Sequence, residues 1–281
     1  MEPRPDDLVL SSGTVENPPI DELAGAAAAG GYAGVTLWPS DYHPGRRHGE
    51  PPGQIRAKLE DRGLYVQDVD AHIAWVGPND PGPPYMEEIP ERETFELAEA
   101  VGARGVNVLL HGLGPADLDA SAEVFAGVCD RAAEHGLRAH LEFSRNRVYG
   151  RDLPEAAEIA RATGRPNAGL MLDVWHVHFG RGSFADLEKV DGERITGVQL
   201  SDVPHQPPEN LGYATRYARL APGEGALDLV GFLSALRAGG CRAPLSLEVF
   251  DAPRAESRGT AGFARDLAEA TRRLQNQAGQ D

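Results

Sequence analysis

The sequence predicts an α/β protein of the (β/α)8, or TIM-barrel, class, folded as a single domain over residues 1–281. Short apolar runs alternate with amphipathic stretches from one end of the chain to the other. A length of 281 residues suits one barrel, which typically needs about 250 residues, better than two ordinary domains. No low-complexity linker or break in composition marks a boundary. An open, doubly wound parallel sheet is the alternative that this alternation allows.

Eight strands and eight helices can be placed in chain order. The apolar runs predict strands near residues 8–14, 34–40, 65–74, 105–111, 137–144, 168–175, 195–202 and 244–250. The amphipathic stretches predict helices over 19–30, 51–62, 90–103, 117–135, 152–163, 183–190, 226–238 and 260–276. Several of these helices are followed by a glycine, which suits a helix C-terminus. Strands alternating with helices form right-handed βαβ units, and eight such units favour a closed barrel.

The composition limits the environment and the partners of the chain. With 41% hydrophobic and 25% charged residues, it is globular and needs no disulfide to hold its core. We interpret Cys129 and Cys241 as reduced and structural, which indicates a cytoplasmic protein. Residues 1–10 contain no signal pattern, and no apolar run is long enough to span a membrane. A formal charge of −16 repels phosphate, so we expect no nucleic-acid partner.

Strand alternation predicts which side chains face the barrel interior, because successive residues of a strand point to opposite sides. On the last four strands, the outward positions are mostly apolar, as a covering helix layer requires. The residues predicted to point inward are Arg138, His140 and Glu142, then Met171, Asp173 and Trp175, then Gln199, and finally Ser246, Glu248 and Phe250.

Four of these inward residues, one from each strand, carry oxygen ligands near the carboxyl end, where barrels of this class have their active sites. They are Glu142, Asp173, Gln199 and Glu248. Three converging carboxylates repel one another unless a cation lies between them. Oxygen ligands favour Mg²⁺ or Mn²⁺, with Co²⁺ or Zn²⁺ as alternatives. The competing interpretation is that each acid pairs with an interior arginine such as Arg138.

At these residues the sequence resembles the xylose-isomerase-like barrel superfamily, also described as sugar phosphate isomerases and epimerases. The resemblance covers nearly the whole chain, and it is strongest in AHLEF (139–143), GLMLDVWHVHFG (169–180), GVQLSDVP (197–204), RLAPGEGALDL (219–229) and LSLEVF (245–250). Two glutamates, an aspartate and a fourth residue bind a divalent ion in that family, which implies the same four ligands here. The fourth ligand is commonly histidine in ketose 3-epimerases, whereas Gln199 is similar to some 3-dehydroshikimate dehydratases.

Such an ion, chelated by a ketone oxygen and a neighbouring hydroxyl, acidifies the adjacent C–H group and leads to an enediolate. The resemblance implies that Glu142 and Glu248 are the acid/base pair as well as ligands, and Glu142 as a ligand alone is the alternative. His176, three residues after Asp173, is predicted to lie over the pocket and to hold a hydroxyl or transfer a proton. A polar loop contact is its alternative. His178 completes an H-x-H spacing that suggests zinc only weakly.

Four side chains are predicted to contact substrate. His72 is placed inward on the third strand, and a core histidine is the competing interpretation. Trp38 and Trp175 lie near strand ends and could form aromatic walls for a sugar or ring, or simply pack in the core. The family resemblance also implies that Arg219 reaches into the site and clamps a carboxylate or hydroxyl. A surface pair with Glu224 is the alternative.

The sequence leaves several functions open. The principal prediction is a metal-dependent isomerase or epimerase acting on a keto-sugar or related polyol. The alternative is a dehydratase, and therefore a lyase, of a cyclic ketone such as 3-dehydroshikimate or an inosose. An endonuclease IV-like activity would need a histidine-rich zinc cluster and a basic surface, which the acidic charge disfavours. Arg254 and Arg258, before a helix, are a weak candidate for phosphate binding. Whether the protein forms a homo-oligomer is left open.

Overall fold

The protein forms a closed barrel of eight parallel strands in sequential order. The computed structural model describes residues 2–77, 89–112, 117–144 and 149–279. The strands are β1 (Leu8–Ser11), β2 (Gly34–Leu37), β3 (Tyr65–Trp75), β4 (Gly105–His111), β5 (Arg138–Glu142), β6 (Ala168–Asp173), β7 (Ile195–Leu200) and β8 (Leu245–Leu247). Strand β1 pairs with β2 on one side and β8 on the other, which closes the sheet. The predicted barrel is confirmed, and the open sheet is excluded.

Helices connect the strands and cover the barrel. They are α1 (Ile20–Gly30), α2 (Pro39–Tyr42), α3 (Pro52–Glu60), α4 (Glu91–Val101), α5 (Leu118–Glu134), α6 (Leu153–Ala162), α7 (Val174–Phe179), α8 (Leu211–Tyr217), α9 (Leu229–Ala238) and α10 (Ala252–Ala278). The helix predicted over 183–190 is instead a 3₁₀ helix, Phe184–Lys189. Helix α10 begins before its predicted start and is interrupted at Gly259, where φ is 66°. No helix of the described ranges is long and apolar enough to cross a membrane.

The main core lies between the outer face of the barrel and the helix layer. Outward-facing strand residues such as Val106, Val108 and Leu141 are buried there together with Phe125 of α5 and Phe263 of α10. Each side chain of this size stabilises the fold by about 1.5–3 kcal/mol when fully buried. This apolar layer leaves the barrel interior to be filled by a different set of residues, most of them polar or small.

The lower half of the interior is packed around His140. Its Nδ1 atom lies 2.7 Å from the Thr196 hydroxyl. Burial, and to a smaller extent the charge of Arg138, lowers the pKa of His140 to about 3, so the ring is neutral at neutral pH. Gly105 and Gly169 provide the room, since a Cβ atom on Gly105 would lie 2.1 Å from His140 Nε2. Arg138, predicted to point inward, is exposed at the first position of β5.

The substitution Gly169→Ala tests this packing. Its Cβ atom would lie 1.9 Å from Thr196 Oγ1, and that hydroxyl is already engaged with His140. We therefore expect the free energy of unfolding, measured with urea, to fall by about 1–3 kcal/mol. Gly25→Ala is the matched control, because nothing lies within 4 Å of that position in α1. It should raise stability by about 0.5–1 kcal/mol, and equal losses in both variants would contradict the proposed packing.

Candidate active site

Six buried polar residues, five from the consecutive strands β3 to β7 and one directly after β8, meet in the upper half of the barrel. They are Asp70, Asn107, Glu142, Asp173, Gln199 and Glu248, each less than a tenth exposed. Glu248 directly follows β8, and its backbone N–H still donates to Leu200 of β7. The four residues predicted as ligands are therefore brought to one place, as strand alternation requires. Asn107 was not predicted, although its apolar neighbours Val106 and Val108 show the same alternation.

Two side-chain amides connect the carboxylates of this site. The Asn107 amide donates to Asp70 Oδ1 at 3.0 Å and to Glu142 Oε2 at 2.5 Å. The Gln199 amide donates to Asp70 Oδ2 at 2.9 Å and to Glu248 Oε1 at 3.0 Å. The oxygen atom of each amide is buried and has no hydrogen-bond partner among the residues that the structure describes. Asp70 thus lies between the two predicted acid/base groups, with one amide on each side.

His176 joins the acidic cluster from the first turn of α7. Its Nε2 atom lies 3.3 Å from Glu142 Oε1 and 3.7 Å from Asp173 Oδ2. One potential ligand atom from each of these three residues lies within 4.8 Å of the others. Asp173 also caps α7, since its Oδ1 accepts the backbone N–H of Trp175 at 2.8 Å. This leaves Asp173 Oδ2 as the oxygen that faces the cluster.

Arg219 reaches into the site, where its guanidinium contacts two of the acidic residues directly. Its Nη1 atom lies 3.0 Å from Asp173 Oδ2 and 3.1 Å from Glu248 Oε2, and the residue is only 2% exposed. The guanidinium carbon lies 4.7 Å from the centre of the Phe250 ring. The prediction that Arg219 reaches the site agrees with this geometry. The alternative pair with Glu224 is wrong, because Arg254 contacts that glutamate at 2.6 Å.

A buried carboxylate supports the loop that carries Arg219. Asp202 forms an antiparallel bridge with Leu220, next to Arg219. Its two oxygen atoms accept four backbone N–H groups, those of Val203, Gly223, Gly225 and Leu227. Asp202 is not among the predicted site residues. Its position in GVQLSDVP, three residues after Gln199, is the only signal that could have connected it with the site.

Ionisation of the interior carboxyl groups is costly in this surrounding. Burial, reinforced by the charge of Glu142, raises the pKa of Asp70 well above its usual value. Burial likewise raises the pKa of Glu248, although the nearby Arg219 guanidinium opposes this effect. Deeper on β3, burial raises the pKa of Asp68 to about 7 despite the hydrogen bond from Thr36. Another positive charge near these groups would therefore favour their ionised forms.

The residues present fit a divalent cation of the kind that the sequence predicted. Glu142 and Asp173 offer two carboxylates and His176 an imidazole. Glu248 offers a third carboxylate beside Gln199, whose Oε1 is a buried amide oxygen with no partner in the described ranges. Carboxylate and amide oxygens are preferred by Mg²⁺ and Mn²⁺, and imidazole is compatible with Mn²⁺, Co²⁺ and Zn²⁺. The positions do not distinguish among these ions. The assignment of the four ligands stays a prediction.

His72 does not point into the barrel, and that prediction is wrong. Its Nε2 atom lies 2.9 Å from Glu91 Oε2, and its ring packs against Phe95, both on α4. The pairing of β3 with β4 shifts between Val69 and His72, where β3 contains one extra residue. The shift reverses the alternation, so His72 joins the outer face. Half-burial raises the pKa of the Glu91 carboxyl. Hydrogen bonds from His72 and Arg131 outweigh this effect and lower the pKa to about 2.

The same shift brings another aromatic residue to the inner face. Trp75 pairs with His111 across β3 and β4, on the side opposite Ala74 and Leu110, which pack in the main core. The Trp75 and His111 rings lie 5.5 Å apart. Strand alternation alone could not have found Trp75, because the extra residue cannot be read from the local pattern.

The two predicted aromatic walls differ in their surroundings. Trp38 is partly exposed, and its ring meets Phe250 edge-on at 5.8 Å. A substrate contact at Trp38 stays a prediction. Trp175 is not on β6, as predicted, because the strand ends at Asp173 and the chain enters α7. Its ring is 1% exposed and its Nε1 donates to Thr215, so Trp175 supports α8 rather than forming an open wall.

The remaining candidates lie elsewhere. Arg254 and Arg258 form ion pairs with Glu224 and Asp266, respectively, so neither guanidinium at this predicted phosphate site is unpaired. His178 packs against Phe179 and does not belong to the acidic cluster found in the described ranges. The proline-rich segment 78–84 follows the third predicted strand, a position that indicates a loop of the active face, and it lies outside the residues that the structure describes.

Comparison with known proteins agrees with the architecture. The sequence profile of the xylose isomerase-like TIM barrel family matches residues 24–273. The IOLI protein, in a crystal structure with a bound zinc atom, has a TM-score of 0.74 and 20% sequence identity. That superposition covers 97% of both chains. At this identity the likeness concerns the fold alone.

Two groups of curated relatives are similar in sequence. A 3-dehydroshikimate dehydratase from Pseudomonas aeruginosa is 31% identical over 240 residues, which cover 83% of this chain but only 36% of the relative. An inosose isomerase from Bacillus velezensis is 34% identical over 131 residues, 46% of either chain. The chain thus spans about a third of the first relative and about half of the second.

Proposed function

The chain belongs to the xylose isomerase-like TIM barrel family, and from this premise we propose a divalent-metal-dependent enzyme that moves a proton next to the carbonyl of a polyhydroxy ketone. The predicted enzymatic function agrees with the relatives, which are named as a dehydratase and an isomerase. Both relatives are named for cyclic ketones that carry hydroxyl groups. We therefore propose a substrate of that class, whose ring Trp38 would contact.

One observation carries the proposal. Glu142 and Glu248, on separate strands, flank the same cluster, and each is hydrogen-bonded to an amide that is anchored on Asp70. Two carboxyl groups around one cation site can serve as acid and base from different sides of a bound substrate. Asp173 and the Gln199 oxygen complete the proposed ligand set. This geometry favours an epimerase, which removes a proton from one face of a carbon and returns one to the opposite face, or an isomerase, which returns the proton to the neighbouring carbon.

In the proposed mechanism, the bound ion would polarise the ketone and acidify the neighbouring C–H bond. One glutamate accepts this proton, and the electron pair of the broken C–H bond forms the enediolate. The other glutamate, protonated beforehand, returns its proton to the opposite face, which gives an epimer. If it instead protonates the former carbonyl carbon, and the proton of the neighbouring hydroxyl moves to the former ketone oxygen, the product is an isomer. His176 lies 3.3 Å from Glu142 and can hold a substrate hydroxyl or relay a proton. Arg219 balances the charge of Asp173 and Glu248.

Dehydration of a cyclic ketone is the second candidate. The similarity to 3-dehydroshikimate dehydratase extends over 240 residues, whereas that to inosose isomerase extends over 131. Gln199 as the fourth ligand favours the same reaction. The two reactions share the first proton transfer and differ only afterwards, when the dehydratase expels a β-hydroxyl group as water.

We further propose a cytoplasmic location, because Cys129 and Cys241 are both free and buried.

Solvent exchange in D₂O separates these candidates. The Mn²⁺-loaded protein is incubated with ketohexoses, inososes and 3-dehydroshikimate, and the products are followed by NMR. We expect deuterium at the carbon next to the carbonyl, with all hydroxyl groups retained, and no exchange after the metal is removed with EDTA. Loss of water to an enone or an aromatic product would assign the dehydratase instead. Equal exchange with and without metal would contradict the proposed mechanism.

A further inference from the structure

We propose that Asp70 is a positioning residue, whose carboxylate fixes the amides of Gln199 and Asn107 so that their oxygen atoms face a bound ion or substrate. Asp70 was not among the predicted site residues. The inference rests on the proposed function, since it concerns how the ligand Gln199 is presented to the ion. Metal binding would then depend on Asp70 as well as on the four ligands.

The hydrogen-bond inventory determines the orientation of Gln199. A primary amide has two N–H hydrogens on nitrogen and none on oxygen. The nitrogen of Gln199 meets two acceptors, Asp70 Oδ2 at 2.9 Å and Glu248 Oε1 at 3.0 Å. Once both acids are ionised, as a bound cation would favour, turning the amide over would place its oxygen against two carboxylate oxygens with no hydrogen between them. The two acids therefore direct Gln199 Oε1 away from themselves, and it is the atom left without a partner among the described residues.

Asn107 follows the same rule on the other side of Asp70. Its nitrogen donates to Asp70 and to Glu142, and its oxygen is likewise buried and unpaired within the described part of the chain. Asp70 contributes one carboxylate oxygen to each amide and contacts both of them. An asparagine at position 70 could not replace it. Whichever way its amide turned, an NH₂ group would meet the NH₂ group of Gln199 or of Asn107.

Asp68 provides a matched comparison on the same strand. It is also buried and carries the same functional group, but one of its oxygens accepts the Thr36 hydroxyl and the other has no partner among the described residues. It contacts neither amide in the described structure. Replacing Asp68 by asparagine removes a carboxyl group from the interior without disturbing the two amides, so it isolates the effect of charge and burial.

A double-mutant cycle on Mn²⁺ affinity tests the role of Asp70. Calorimetric titration with Mn²⁺ compares the wild type, Asp70→Asn, Gln199→Glu and the double variant, after thermal unfolding has shown that each is folded. Asp70→Asn should weaken Mn²⁺ binding about 10- to 100-fold, as expected when a group that orients a ligand is lost. Asp68→Asn should weaken it less. In the Gln199→Glu background, Asp70→Asn should strengthen Mn²⁺ binding instead of weakening it. An asparagine at position 70 can donate to the introduced glutamate, whereas Asp70 repels it.

This reversal distinguishes positioning from a merely structural role, since a damaged fold would weaken binding in both backgrounds. Equal weakening in the two backgrounds, or equal effects of Asp68→Asn and Asp70→Asn, would overturn the inference while leaving the proposed function intact. If Asp70→Asn does not fold, the double variant against Gln199→Glu still tests the reversal. A wild-type protein that binds no Mn²⁺, Mg²⁺, Co²⁺ or Zn²⁺ would instead overturn the proposed function, and the role of Asp70 with it.

Discussion

Glu248→Gln is expected to lower the rate of metal-dependent epimerisation, followed as deuterium incorporation with inversion, by about 10²- to 10⁴-fold, the usual contribution of a positioned acid/base group. Glutamine retains the size of the side chain and an oxygen that can serve as a ligand, but it cannot accept a proton from carbon. Glu248 is 4% exposed, and its two carboxyl oxygens accept from Gln199 and from Arg219, so the NH₂ group of the glutamine would meet one of these donors. The free energy of unfolding in urea is therefore measured alongside the exchange rate, and we expect the loss in proton transfer to exceed the loss in stability.

The measurement separates binding from chemistry if the exchange rate is recorded at saturating Mn²⁺, with saturation established by thermal shift. Glu224→Gln is the control, because Glu224 is an exposed glutamate paired with Arg254. It should leave the rate nearly unchanged. Glu142→Gln should lower the epimerisation rate likewise, and each of the two variants should still exchange, without inversion, the epimer whose proton faces the remaining glutamate. Full activity in Glu248→Gln would show that Glu248 is not an acid/base group.

The fold could be predicted from the sequence because its signals are local and repeated. Each strand of a parallel barrel is an apolar run followed by an amphipathic helix, and the boundaries of β4 agree with the prediction residue for residue. The convergence of Glu142, Asp173, Gln199 and Glu248 followed from strand alternation, which holds on β5 through β8 near the site. The same logic would have identified Asn107 if polar residues other than acids had been sought on β4.

The remaining errors have a common physical origin, since they depend on contacts or irregularities that a single strand does not encode. His72 was assigned to the wrong side of β3 because one extra residue reverses its alternation. Trp175 was extended along β6, although Asp173 caps a helix at that point. The partners of Arg219 lie 46 and 29 residues away in sequence, so no local pattern indicated that this guanidinium would contact acids.

Arg219→Gln is expected to reduce the stability of the metal-free protein by about 3–5 kcal/mol, the usual effect of removing one partner of a buried ion pair. Arg219 is 2% exposed and contacts both Asp173 and Glu248, so its loss leaves two buried carboxyl groups without their counter-ion. Urea unfolding in EDTA measures this difference. Arg254→Gln is the matched control, since its pair with Glu224 is partly exposed and should contribute only about 0–1 kcal/mol.

The response to metal gives this prediction a second, independent outcome. A ligand that binds only the folded state stabilises it in proportion to the logarithm of its concentration over its dissociation constant. Nη1 of Arg219 lies against Asp173 Oδ2, the oxygen that faces the proposed cation site, so the guanidinium and the ion both compensate this carboxylate. Saturating Mn²⁺ should therefore raise the melting temperature of Arg219→Gln more than that of the wild type. An equal increase in both would indicate that Arg219 does not share the charge of these acids with the ion, and would favour direct contact between Arg219 and substrate.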